Sequence, residues 1–94
     1  MKCIWDPKKN EINKRRHGLS FELAEIVLDD PYAVTFDDYI DDDGNQRYQT
    51  IAMYEGVLFQ IAHIYIEIDD VEMPRIISFR KATQYEEELY LTRS

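Results

Sequence analysis

The feature that most constrains this chain is a change of period near Pro31. Before it, apolar residues recur at helical spacing; after it, they alternate with polar ones, the period of a strand with a covered face. Ala33–Ile40, Arg47–Tyr54, Val57–Ile68 and Arg75–Arg80 carry this alternation and predict four strands. Asp43-Gly44-Asn45 and Glu55-Gly56 signal hairpin turns, and Asp69-Asp70 with Pro74 brackets the last turn. Connections this short make successive strands antiparallel neighbours. Val57–Ile68 is apolar on both faces, with Phe59 and Ile61 on one and Ile64 and Ile66 on the other, so it belongs near the middle of the sheet.

The first third reads differently. Lys2-Cys3-Ile4-Trp5 is a short strand candidate, and Asp6-Pro7 opens a helix, an N-cap residue followed by proline at the first helical position. That helix runs to about His17 and stops at Gly18, with Lys14, Arg15 and Arg16 in its last turn, where cations suit the dipole. Only Ile12 is apolar in its middle, so the helix is either solvated or covered by a partner. Ser20 caps a second helix from Phe21 to about Leu28, with Phe21, Ala24, Val27 and Leu28 on one side. Thr83-Gln84-Tyr85-Glu86 has the spacing of a capping box and starts a last helix. The expected fold class is α+β: a short N-terminal strand, two helices, an antiparallel four-stranded meander and a C-terminal helix, as a single domain over 1–94.

The net charge of −8 opposes indiscriminate nucleic-acid binding, but its distribution matters more than its sum. Residues 1–28 carry six Lys/Arg against four acids, residues 29–74 one against twelve, and residues 75–94 four against three. If the two basic ends meet in space, one surface is locally positive. The single Cys3 forms no internal disulfide and offers no zinc set, which suits a reducing, cytoplasmic setting. No early apolar run is long enough for a signal peptide or a membrane span, so no membrane partner is expected.

The stretch from Arg75 to Tyr90 concentrates the candidate chemistry. Regular alternation puts Ile77 and Phe79 on one face and Ile76, Ser78 and Arg80 on the other. Ser78, Arg80 and Lys81 then form one candidate anion site at a strand-to-helix junction, and Arg75 joins it only at the frayed strand start. Solvated charges beside the acidic middle are the plainer reading of Arg80 and Lys81. His17 and His63 are the candidate acid or base. Their plainer roles are a dipole-complementing cation and a hydrogen-bonded core residue. Glu86 is a cap first and a base second, and Tyr90, one turn later, either bonds a ligand or packs. The acidic run Asp37–Asp43 lacks the spacing of a calcium loop. It reads as a solvated hairpin tip that could also dock a basic partner or reduce unwanted nucleic-acid binding. No metal or cofactor is expected.

With these elements in place, three segments resemble a known family. Trp5-Asp6-Pro7-Lys8-Lys9-Asn10, Asn13, Arg16-His17-Gly18-Leu19-Ser20-Phe21-Glu22, Ala24 and Asp30-Pro31 resemble the N-terminal half of the BrnT toxins. Arg47-Tyr48-Gln49-Thr50-Ile51-Ala52 is similar to their central strand, and Arg75–Thr83 with Glu86 and Tyr90 to their C-terminal signature. The resemblance implies a RelE-like fold and a type II toxin–antitoxin toxin, a metal-independent endoribonuclease that inhibits translation. It implies a BrnA-like DNA-binding antitoxin as partner, RNA as substrate, and operator DNA reached only through the antitoxin complex. The catalytic set expected from it is Arg80, Lys81, Ser78, His17, Arg75, His63, Glu86 and Tyr90, with Lys9, Lys14, Arg15 and Arg16 binding RNA. The alternative is a non-catalytic, toxin-like module that only pairs with its partner, which the net charge of −8 and Glu87-Glu88 favour.

Overall fold

The computed structural model describes residues 1–93. The chain opens with β1 (Ile4–Trp5), an edge strand, followed by helix α1 (Pro7–His17). Asp6 caps α1 by accepting from the Lys8 N–H, and Gly18 ends it at φ 69°, a conformation costly for any residue with a Cβ. Helix α2 (Phe21–Val27) follows, capped by Ser20. Then come β2 (Val34–Ile40), β3 (Gln46–Tyr54), β4 (Val57–Ile68), β5 (Val71–Lys81) and α3 (Gln84–Thr92). Both halves of the Thr83–Glu86 capping box are formed at the start of α3.

The α+β class stands, but the sheet is not a four-stranded antiparallel one. It has five strands in the order β1-β5-β4-β3-β2, and β1 joins β5 in parallel, which makes the sheet mixed. From β2 to β5 the strands pair antiparallel with their sequence neighbours, which leaves β4 central in that run. The last strand is also longer than expected. It begins at Val71, and Pro74 lies inside it opposite Tyr65 instead of ending a turn. The turn is Asp69-Asp70 alone, both with positive φ, as a two-residue hairpin loop demands.

One irregularity changes the reading of β5. Ser78 faces Ala62 but Ile76 faces His63, so Ile77 is an extra residue, a β-bulge. Regular alternation fails there: Ile76 and Phe79, three apart, both enter the same core. Residues directly opposite share a face, so Arg75 (opposite Ile64), Ser78 (opposite Ala62) and Arg80 (opposite Gln60) lie on one face of the sheet. Arg75 therefore joins Ser78 and Arg80 without any fraying of the strand.

The opposite face carries the main core. Phe21, Ala24, Val27 and Leu28 of the α2 segment pack on Ala52, Phe59, Ile61, Ile76 and Phe79. Full burial of such side chains stabilises by roughly 1.5–3 kcal/mol each. A smaller cluster on the Arg80 side joins Tyr90 of α3 to Ile51 and Leu58.

Helix α1 docks by another principle. Its buried residues are Asn10 and Asn13. Beyond Ile76 the outer edge of β5 has no strand partner, and Asn13 takes that place: its Oδ1 accepts from the Phe79 N–H (3.0 Å) and its Nδ2 donates to the Phe79 carbonyl (2.9 Å). Asn10 accepts from the Phe21 N–H and donates to Glu22. The helix that lacked an apolar stripe is fixed by amides, with Ile12 left about half exposed.

Candidate nucleic-acid cleft

Docking by Asn13 leaves a groove between α1 and the open face of β5. Lys9, Asn13, Arg16 and His17 fall on one side of α1 by helical spacing. With Ile12, Ile77 and Ser78 they line a depression of about 200 Å³. A second depression of about 210 Å³ shares Lys9 and Ile77 and adds Arg47, Ile64 and Arg75, with Asp41, Asp43 and Asn45 at its far rim. The two basic ends of the chain thus meet, and the bulge at Ile77 is what brings Arg75 to them.

One of these cations is already compensated. Arg47 donates to Asp41 (3.1 Å), which also accepts from the Asp43 and Asn45 N–H groups and so builds the hairpin tip. These bonds, led by that from Asn45, hold the Asp41 carboxyl below the usual range. The tip is thus an organised turn as well as an acidic surface. Among the described residues, no carboxylate lies within ion-pair distance of Lys9, Arg16 or Arg75. Uncompensated positive charge in the groove therefore belongs to these three.

The remaining expected site residues are dispersed. Arg80 makes a bidentate pair with Glu86, Nη1 to Oε1 at 2.8 Å and Nη2 to Oε2 at 3.0 Å. The Glu86 hydrogen bond raises the Arg80 pKa. Burial works against Glu86 ionisation, but bonds from Arg80 and the Thr83 N–H outweigh it and keep the carboxyl below its usual range. Glu86 thus serves as cap and counter-ion, which leaves it a poor proton acceptor. Lys81 lies opposite Phe59, on the other face from Arg80, so these two and Ser78 do not form a single anion site. Lys14 pairs with Glu11, and Arg15 lines a shallow depression with Pro7, Lys8, Glu11 and Ile12, away from β5.

His63 and Tyr90 are structural in their surroundings. His63 is 1% exposed on the α2 side of the sheet. Its Nε2 lies 2.8 Å from Thr50 Oγ1, its ring stacks on Tyr48, and burial pushes its pKa down to about 4. The Tyr90 hydroxyl donates to Asp30, while Arg93 lies over the ring. Asp30 also accepts from the Met53 and Tyr32 N–H groups, tying the α2–β2 connection to β3 and α3. Burial alone would raise the Asp30 pKa, but those bonds lower it.

Sequence reasoning missed Asn10 and Asn13 as docking groups, Arg47 as a groove cation, and Asp30 as a tether. The available signal was the pair of asparagines three apart on a helix without an apolar stripe.

A small α+β domain with a cationic groove along one sheet face is the class these elements define. A family model described as "Ribonuclease toxin, BrnT, of type II toxin-antitoxin system" matches residues 5–86, and the chain belongs to that family. The family is one of ribonuclease toxins and implies a cognate protein antitoxin. A comparison with curated proteins found no match. Among the described residues, no helix is long and apolar enough to cross a membrane.

Proposed function

We propose that this chain is a RelE-like, metal-independent endoribonuclease of the cytoplasm that cleaves RNA, inhibits translation, and is neutralised by a DNA-binding antitoxin. Operator DNA is then met only through the antitoxin complex. The observation that carries the reading is the groove in which Lys9, Arg16, His17, Arg75 and Ser78 converge.

The chemistry follows from what such groups do at a phosphodiester. A ribose 2′-hydroxyl attacks the adjacent phosphorus, its proton passes to a base, and the P–O5′ bond breaks as the leaving oxygen gains a proton. Arg16 and Arg75 suit the charge that builds on the non-bridging oxygens, because a guanidinium donates to two oxygens at once, and the Lys9 ammonium adds a point charge beside them. His17 supplies the groove's imidazole, which can both accept and donate a proton, so it is assigned the proton transfer. Ser78 donates a hydrogen bond to the phosphate.

Growth and bulk RNA after induction of the chain alone test this reading. We expect arrest and RNA loss, both abolished by Arg16→Ala with His17→Ala and both insensitive to a chelator in the purified reaction. Arrest that persists in this double variant would refute the site, and no arrest from the unaltered chain would refute the enzyme.

A second reading, a toxin-like module that binds its partner without cleaving, is favoured by the neutralised state of Arg80 and Arg47. It predicts a stable antitoxin complex and no RNA loss.

A further inference from the structure

The far ends of β4 and β5 form an arm that the rest of the sheet does not flank. β3 pairs with β4 only as far as His63, and β1 pairs with β5 only at Arg75 and Ile76. From Ile64 to Ile68 and from Val71 to Pro74 the arm's strand partners lie within the arm or at its base. The pairs Ile68–Val71 and Ile66–Met73, with Ile64, place five apolar side chains on one face. Val71 is 56% exposed and Ile68 39%. None of the five belongs to either core cluster or packs against one. A two-stranded hairpin alone is marginal in water, and a contiguous apolar face of this kind marks a contact surface.

The rim of the arm says what covers it. Asp69 and Asp70 form the turn at its tip, while Glu67 and Glu72, directly opposite each other, alternate with the five apolar residues and so lie on the reverse face. No Lys or Arg occurs between Ile64 and Pro74. Like charges directly across a strand pair are destabilising, and here nothing in the arm offsets them.

We propose that this arm is a docking surface for the cognate antitoxin, occupied by an amphipathic segment that sets apolar side chains on Ile64, Ile66, Ile68, Val71 and Met73 and Lys/Arg side chains against the Asp69–Asp70 tip. A second copy of this chain would bring another net charge of −8 to the contact and repel. RNA is repelled for the same reason. The base of the arm is continuous with the groove, since Ile64 and Arg75 line it beside Lys9 and Arg47. A segment lying along the arm therefore covers the entrance to the groove and excludes RNA. The inference rests on the toxin–antitoxin reading for the existence of the partner, and on the arm alone for where it binds.

The test uses the full chain and the purified product of the adjacent antitoxin gene. The complex should protect the amides of residues 64–73 from hydrogen exchange. The exposed pair Ile68→Ser with Val71→Ser should weaken binding about tenfold or more, as loss of a buried apolar anchor does. Asp69→Asn with Asp70→Asn removes the two charges at the tip while keeping residues that tolerate positive φ, which leaves the hairpin at least as stable, and should still weaken binding. Both variants should keep their thermal midpoint and their growth arrest when expressed alone. Unchanged affinity in both, with the arm amides still exchanging, overturns the docking site and leaves the toxin reading intact. Self-association of the chain that the double serine variant abolishes overturns the proposed occupant in favour of a second copy. Absence of both a complex and growth arrest overturns the two readings together.

Discussion

Helices α1 and α2 rest on neighbouring parts of one sheet and are held by opposite means. α2 presents Phe21, Ala24 and Val27, all at most 1% exposed, to an apolar core. α1 presents Asn10 and Asn13, whose amides bond backbone groups that no strand or turn satisfies. An apolar contact is non-directional and consumes a whole face of the helix. Two amides fix position through direction while using very little surface. The rest of that same side of α1 stays open for Lys9, Arg16 and His17 beside Asn13, which is why the groove can be built on this helix and not on the other.

The comparison can be broken at either helix. Phe21→Ala should cost about 3–5 kcal/mol in a denaturant titration, the range for a buried aromatic that leaves a cavity. Acid should act on the α2 side of the sheet. The folded pKa of His63, about 4, lies below its ordinary 6.5. Its contribution is therefore fully present above about pH 6.5 and is lost as pH falls toward 4, about 3 kcal/mol in all by linkage. His63→Gln should flatten that decline, whereas Asn13→Ala should leave its slope unchanged. Asn13→Ala itself should cost about 2–3 kcal/mol, because it strands the buried N–H and carbonyl of Phe79. A loss no larger than that of an exposed-site change would mean that α1 is held by something other than its amides. The smallest effect concerns Arg80. Glu86→Gln should release its charge, and RNA binding should gain a salt-dependence slope of about 0.7 if the freed guanidinium reaches one phosphate.

Much of the fold was legible because its signals are local. The caps at Asp6, Ser20 and Thr83, the stop at Gly18 and the alternation of the strands depend on residues a few positions apart. The site was less legible, for two identifiable reasons. A bulge adds one residue without a mark in the sequence, and parity counted across Ile77 put Arg75 on the wrong face. The second reason is tertiary. Asn13 has its role only because β1 ends at Trp5 and leaves the Phe79 edge open, and Arg80 meets Glu86 only once α3 is placed. The charges are visible in the sequence, but which of them are already paired is decided by the tertiary fold.

The central claim is that the uncompensated cations of the groove between α1 and β5 hold RNA. The most direct measurement is the salt dependence of single-stranded RNA binding by a His17→Ala chain, with and without Arg16→Ala and Arg75→Ala. If both arginines contact phosphate, the two substitutions together should lower the slope of log affinity against log salt by about 1.4 and weaken binding at low salt. An unchanged slope, with the fold intact, would place the RNA elsewhere and contradict the account.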